Sequence, residues 1–217
     1  SPAQEFDLGY CASAGITVQR RITGGDAIYC DENQLGWELY LHRRDIGNSD
    51  MSAIAKRICH AAATAIGALG VDARFRPQHD IEIDGRVISR GGGAFDAAAL
   101  LYQGILLIDN DAVCMRRATR MPATPWMTAA PQAAHERSTD LKTVLGECPD
   151  IAHIKRNMTA AFESEFDVEF QEGDLSLTEH ARYRRALPEI DTPDWINLNQ
   201  QPASEAPVCV AVQKVAG

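Results

Sequence analysis

The sequence predicts an α+β fold, a mixed and mainly antiparallel sheet packed with helices, and three stretches carry that expectation. Gln34–His42 places Leu35, Trp37, Leu39 and Leu41 on alternate positions, the pattern of a half-buried strand. Residues 51–69 repeat apolar side chains at Met51, Ile54, Ile58, Ala62, Ile66 and Leu69, the spacing of one helical face. Residues 81–108 form a run of short apolar segments separated by turn residues, which reads as successive antiparallel strands.

Taken in order, residues 3–14 read as a helix, and 16–22 and 27–29 as strands flanking a glycine-rich turn. The strand 34–42 follows, then the helix 51–69 behind a cap at Asp50 or Ser49. Segments 81–83, 86–89, 93–95 and 100–108 supply the antiparallel run, and Asp109-Asn110-Asp111 reads as a turn with Asp111 capping a helix from Ala112. Residues 121–134 hold Pro122, Pro125, Pro131 and Trp126 without periodicity, so they form a long loop, either a binding segment or a disordered one. Helices are expected at 139–146 and 151–166, the second with Ile154, Met158, Phe162 and Phe166 in line. A short strand at 168–170 precedes a helix opened by Ser176-Leu177-Thr178-Glu179 and running to about residue 187, with Ser176 or Thr178 as its cap. The apolar stretch 207–212 closes the chain as a strand.

Composition narrows the function classes. With 217 residues and 45% hydrophobic content the chain can bury a sizeable core. A net charge of -9 and a pI near 5.1 argue against general nucleic-acid binding. The clusters Arg116-Arg117-Arg120 and Arg182-Arg184-Arg185 read as solvated helix faces. Six cysteines without Cys-x-x-Cys spacing fit thiols kept reduced, not a disulfide framework or a zinc site. No apolar stretch reaches the roughly twenty residues that span a bilayer and no signal peptide is visible, so a soluble cytoplasmic protein is expected.

Candidate chemistry concentrates in two places. Arg20-Arg21-Ile22-Thr23-Gly24-Gly25-Asp26 and Asp84-Gly85-Arg86-Val87-Ile88-Ser89-Arg90-Gly91-Gly92-Gly93 both combine arginines with glycines on strands. Glycine lets backbone approach a ligand, and arginine supplies charge with a fork of donors, so the pair suits an anionic group. Each turn taken alone is equally well a hairpin or a bulge. Cys148, before Pro149, reads as a structural thiol before it reads as a nucleophile, and His79 as a surface histidine before a ligand contact. No metal-ligand set is expected, and no Gly-x-x-x-x-Gly-Lys-Ser/Thr loop exists.

The order of these segments resembles the lipoate-protein ligase branch of the biotin/lipoate ligase superfamily. The family's Arg-Arg-x-x-Gly-Gly-Gly turn matches Arg20 to Asp26, and its Lys-Ile-Ser-Gly strand matches Val87 to Arg90. Its His-Gly-x-Leu-Leu-like strand matches Tyr102-Gln103-Gly104-Ile105-Leu106-Leu107. Arg137-Ser138-Thr139-Asp140-Leu141 and Asp194-Trp195 fill two later motifs. The resemblance implies one ligase-like domain over residues 1–198, lacking the family's opening helix and strand, with 199–217 as a C-terminal extension. Either the natural protein is longer or a second chain completes the sheet.

By the same resemblance the chain would activate a lipoyl- or octanoyl-type acid with ATP and Mg²⁺ and pass it to a lysine of a lipoyl carrier domain. Arg20, Arg21, Gly24 and Gly25 would line the acyl or nucleotide pocket, with Asp80, Ser89 and Gly91 on the nucleotide side. The departures bear on this directly. Val87 stands where the family has a lysine that contacts the acyl carbonyl and phosphate, Asp26 replaces the third glycine, and Cys30 sits at a usual histidine. Arg90 or Arg86 would have to supply the missing cation. On a regular strand Arg90 faces away from Val87 and Ser89, and a bulge at Gly91-Gly92-Gly93 would be needed to redirect it. The alternative is a catalytically impaired homologue that holds a ligand or carrier.

Overall fold

The computed structural model describes residues 2–24, 27–47, 50–77, 79–120, 138–190, 192–198 and 208–214. The elements in chain order begin with α1 (Pro2–Glu5), α2 (Leu8–Ser13), β1 (Ile16–Gly24), β2 (Ile28–Cys30), β3 (Gln34–His42), α3 (Arg43–Ile46) and α4 (Met51–Gly67). Then come β4 (Arg74–Arg76), β5 (Asp80–Ile83), β6 (Arg86–Asp96), β7 (Ala99–Leu107), α5 (Ala112–Ala118), α6 (Leu141–Leu145) and α7 (Ile151–Phe166). The last are α8 (Leu177–Ile190), α9 (Pro193–Ile196) and β8 (Val208–Lys214). They divide into two compact units, one of Ser1–Glu32, Val113–Met127 and Gln171–Gly217, the other of Asn33–Ala112 and Thr128–Phe170.

The second of these units carries a five-stranded antiparallel sheet in the order β3-β7-β6-β5-β4. In β3, Leu35 and Leu39 are buried and Trp37 and Leu41 pack against the same core, as the alternation predicts. The apolar face of α4 buries Ile54, Ile58, Ala62 and Ile66 behind the Asp50 cap, whose side chain accepts from Ala53 N–H. Ile154, Met158 and Phe162 of α7 join it. Arg57 of α4 ties the two helices by donating to the Glu165 carboxylate at 2.7 Å and to the Glu165 carbonyl at 3.1 Å.

Two turns shape the sheet. Asp84 and Gly85, at φ 50° and 75°, close the β5–β6 hairpin with the left-handed pair that such tight turns need. Ala97 takes the same conformation, at φ 50°, between β6 and β7. A Cβ costs about 1–2 kcal/mol there, so Ala97→Gly should stabilise the protein by roughly 0.5–1 kcal/mol. A denaturant midpoint raised at unchanged slope is the expected reading.

Several expectations need correction. The single helix at 3–14 is two, because Phe6 is fully buried in a bridge with Thr119 and Asp7 caps α2 by accepting from Tyr10 N–H. The segments 86–89 and 93–95 are one continuous strand, β6, and β4 was not foreseen. Residues 168–170 form no strand; Phe170 N–H instead donates to the Glu163 carboxylate at 2.8 Å. The helix expected at 139–146 starts at Leu141, since Thr139 N–H is used to pair with the Val87 carbonyl. The helix from Ser176 is present as α8, with Ser176 and Glu179 bonding reciprocally in a capping box. The loop expected at 121–134 lies outside the described residues.

The other unit holds a three-stranded sheet in the order β1-β8-β2. Its core is Phe6, Cys11, Ile16, Tyr29, Cys114 and Ala118, with Tyr10 and Val18 packed against it. Residues 208–214, expected within the C-terminal extension, form the middle strand of this sheet.

Candidate functional site

Within the five-stranded sheet, register decides which charged side chains share a face. Arg76 is opposite Asp80 and Asp80 opposite Arg90, so cation, anion and cation form one row across β4, β5 and β6. One step further along, Ile81 faces Ser89 while Glu82 faces Val87: one step on β5 spans two on β6, and Ile88 is the extra residue of a β-bulge. The bulge therefore lies at Ile88 and not at Gly91-Gly92-Gly93. Asp80 and Glu82 are on one face, so their partners Arg90 and Val87 are on that face too. Arg86, opposite the buried Ile83, belongs to the other.

Burial agrees with that geometry. Val87, Ile88 and Ser89 are 3%, 0% and 3% exposed, a run of three buried residues that a regular strand with one solvated face would not show. Arg90 is exposed. Burial raises the proton affinity of Asp80, and the charges of Arg90, Arg76 and His79 oppose that rise. Arg76 Nη1 lies 3.7 Å from the Glu82 carboxylate, so two carboxylates and two guanidinium groups share this face. Among the described residues no group of three or more His, Cys, Asp or Glu side chains is placed to hold a metal ion.

The glycines of β6 have a packing reason. A Cβ on Gly91 would lie 3.0 Å from the ring and hydroxyl of Tyr102, and one on Gly93 would lie 2.8 Å from the ring and 2.7 Å from the Leu101 carbonyl. Tyr102 is fully buried, its hydroxyl 3.3 Å from Cys59 Sγ, and its ring meets Trp37 and His79 with centroids 6.0 and 6.3 Å away. Gly91 N–H donates to the His79 carbonyl at 3.0 Å, so that donor is engaged within the sheet. His79 holds φ 74°, and its buried Nδ1 has no hydrogen-bond partner among the described residues; Trp37 Nε1 shares that condition. Sequence reasoning missed Arg76 and the stacking of Tyr102 on Trp37, although it placed both aromatic residues on strands. The spacing Gly91, Gly93 and Gly104 was the available signal, since small residues clear space for large ones on a neighbouring strand.

In the unit with the three-stranded sheet, Arg20 spends its guanidinium on the chain's own backbone. Its Nε donates to the Trp195 carbonyl at 2.9 Å and its Nη2 to the Ile196 carbonyl at 3.0 Å, while Trp195 Nε1 donates back to the Arg20 carbonyl at 3.3 Å. Arg20 thus anchors α9 to β1. Arg21 is half-buried and its charge acts on Cys30. Gly24 ends β1, and Gly25 and Asp26 lie outside the described residues. Cys148 is exposed, its Sγ 4.0 Å from the Asp109 carboxylate that also accepts from Lys142 Nζ at 2.7 Å.

Burial pushes the Cys30 thiol up to about 11, against the pull of Arg21. The folded state then holds its proton where the unfolded chain, near 9.0, has lost it. Stability should fall as pH rises from about 9 to 11, and Cys30→Ala should flatten that part of a stability–pH profile measured by denaturant unfolding.

Helices packed on a five-stranded antiparallel sheet define an α+β domain, with Arg76, Asp80 and Arg90 in one row across three of its strands. A family model described as the lipoyl protein ligase A/B catalytic domain matches residues 1–163. The chain belongs to that family. It is 21% identical over 203 residues to lipoate-protein ligase A subunit 1 of Thermoplasma acidophilum, covering 88% of this chain and 76% of that one. It is 30% identical over 107 residues to lipoate-protein ligase LplJ of Bacillus subtilis, covering 49% of this chain and only 31% of the relative. The structure of the bipartite lipoate protein ligase of T. acidophilum shares the fold at a TM-score of 0.82 and 21% identity, over 93% of this chain and 79% of that one. A lipoate-protein ligase A bound with ATP does so at 0.76 and 20%, over 89% and 77%. Among the described residues no helix is long and apolar enough to cross a membrane.

Proposed function

We propose that this chain activates a lipoyl- or octanoyl-type carboxylic acid with ATP and transfers the acyl group to a lysine of a lipoyl carrier domain. In the first step a carboxylate oxygen attacks the α-phosphorus and pyrophosphate leaves, giving an acyl-adenylate. In the second a neutral lysine amine attacks the acyl carbonyl, AMP leaves, and an amide forms. Both steps build negative charge on oxygen, and a fixed cation beside that oxygen lowers the energy of the charge.

The observation that carries the reading is the Ile88 bulge, which puts Arg90 on the face of Val87. Arg90 supplies the cation that Val87 lacks, and Asp80 stands opposite it on the neighbouring strand. Arg20, Arg21, Gly24 and Gly25 are assigned to the acyl or nucleotide group, Arg20 chiefly as a positioning residue through its bonds to Trp195 and Ile196. Ser89, which is buried, and Gly91, which packs on Tyr102, lie on the face opposite Arg90 and support the nucleotide side from behind the strand, and the Mg²⁺ that accompanies ATP has no built site in the Asp80 row. The T. acidophilum relative is one part of a bipartite ligase acting with an E2 lipoyl domain, which supports a carrier of that type and a second subunit here.

Mixing the protein with ATP·Mg²⁺ and lipoate, or octanoate, and analysing the mixture by mass tests this. An acyl-adenylate is expected with at least one acid, and adding a lipoyl carrier domain should shift its mass by one acyl group. No adenylate with either acid would overturn the proposal.

A further inference from the structure

The face of the five-stranded sheet that carries Arg90 holds an unpaired amide. Gln34 opens β3 opposite Leu107, and Gly36, two residues on, stands opposite Ile105, which pairs in turn with Arg90. Leu35 and Leu106, the pair between, are buried in the core, so Gln34, Gly36, Ile105 and Arg90 share the other face. Both polar atoms of the Gln34 carboxamide, Oε1 and Nε2, are buried, and neither has a hydrogen-bond partner among the described residues. An unpaired buried donor or acceptor loses its hydration uncompensated, and this one side chain holds both.

Glycines leave room for a partner. A Cβ built on Gly36 meets nothing within 4 Å, and the same holds at Gly92, two residues from Arg90 along β6. Alternate residues of a strand lie about 7 Å apart and two strand spacings cover about 10 Å, so the Cα atoms of Gln34 and Arg90 are about 12 Å apart. Two long side chains leaning toward each other close that gap over Ile105. We propose that Gln34 is a ligand-contacting residue, its Nε2–H turning over Gly36 to donate to the anionic oxygen that Arg90 faces. The guanidinium approaches that oxygen from β6 and the carboxamide from β3. Neutral amide donors of this kind stabilise negative charge as it builds on oxygen in acyl and phosphoryl transfer. Gln34 moves no proton and forms no covalent bond; its part is to hold the oxygen in place. The inference rests on the role proposed above for Arg90.

Two variants of the full chain test this. Gln34→Met keeps the length of the side chain and removes both polar groups, while Gly36→Val fills the open space and leaves the amide intact. The first readout needs neither ligand nor catalysis. Deleting an unpaired amide should raise the denaturant midpoint of Gln34→Met, and Gly36→Val should not lower it. The second is calorimetric affinity for lipoate alone and for ATP·Mg²⁺ alone. Both variants should bind the same one of these at least tenfold more weakly, and that ligand is the one whose oxygen Gln34 holds, a carboxylate in the first case and a phosphate in the second. A midpoint that does not rise in Gln34→Met would show that the amide is already satisfied within the fold and would overturn the proposal, as would parent-like affinity for both ligands in either variant. If the parent chain binds a ligand and both variants lose it, yet no acyl-adenylate is ever formed, the fault lies with the proposed activity and not with Gln34. A parent chain that binds neither ligand would overturn both.

Discussion

Arg90→Gln should lower the rate of acyl-adenylate formation by about 10²–10³-fold, the usual cost of removing one donor aimed at developing negative charge. The fold should be untouched, because Arg90 is exposed and its place in β6 is fixed by backbone pairing to β5 and β7. Losing the guanidinium also removes the strongest charge opposing the burial-driven rise in Asp80's proton affinity, so the Asp80 carboxyl should titrate higher still. Carboxyl NMR against pH would read that shift separately from activity. Arg90→Lys should recover part of the rate, a point charge replacing a planar fork. Because Val87 shares the face, Val87→Lys placed in the Arg90→Gln background should restore activity. Full activity of Arg90→Gln, or a large gain from Val87→Lys in the parent chain, would show that Arg90 does not do this work.

Gly104→Ala should be the most destabilising single methyl in the five-stranded sheet. The added Cβ would lie 2.1 Å from Trp37 Cζ2 and 2.3 Å from Cε2, far inside contact distance. Trp37 cannot give way cheaply. It sits opposite Gly104 in the β3–β7 pairing, stacks on Tyr102 at 6.0 Å, and packs on Phe162 of α7 at 5.2 Å. Overpacking of this kind costs about 1–3 kcal/mol where side chains can adjust, and here the expected loss is about 3 kcal/mol. Denaturant unfolding gives the number, and the double variant with Trp37→Leu gives the cause: the two substitutions should be less costly together than their sum. Simple additivity would mean that the clash is not the mechanism.

Much of the molecule is legible locally. The strand at Gln34–His42 and the helices α4 and α7 follow from apolar spacing, and the start of α4 from Asp50, since period and cap are properties of a few neighbouring residues. The site was only half legible. Arg90 and Asp80 were foreseen as candidates, but their direct opposition needed the register of β5 on β6. Gly91 pointed to close approach of a ligand. What approaches it in the structure is Tyr102, contributed by β7. Arg20 pointed to an anion, and its guanidinium is engaged by backbone carbonyls of Trp195 and Ile196 instead. No local pattern encodes such partners, because they lie far along the chain.

By itself, then, the sequence determined the α+β class, the order of most elements, and the family motifs with valine at position 87. Those depend on periodicity, turn chemistry and residue identity, all carried by short segments. Only the tertiary structure decided which strands are neighbours, that β8 enters between β1 and β2, and that one extra residue at Ile88 turns Arg90 to the face of Val87. Strand order and register are choices among distant backbone partners of nearly equal local merit, and they are settled by which side chains end up buried together.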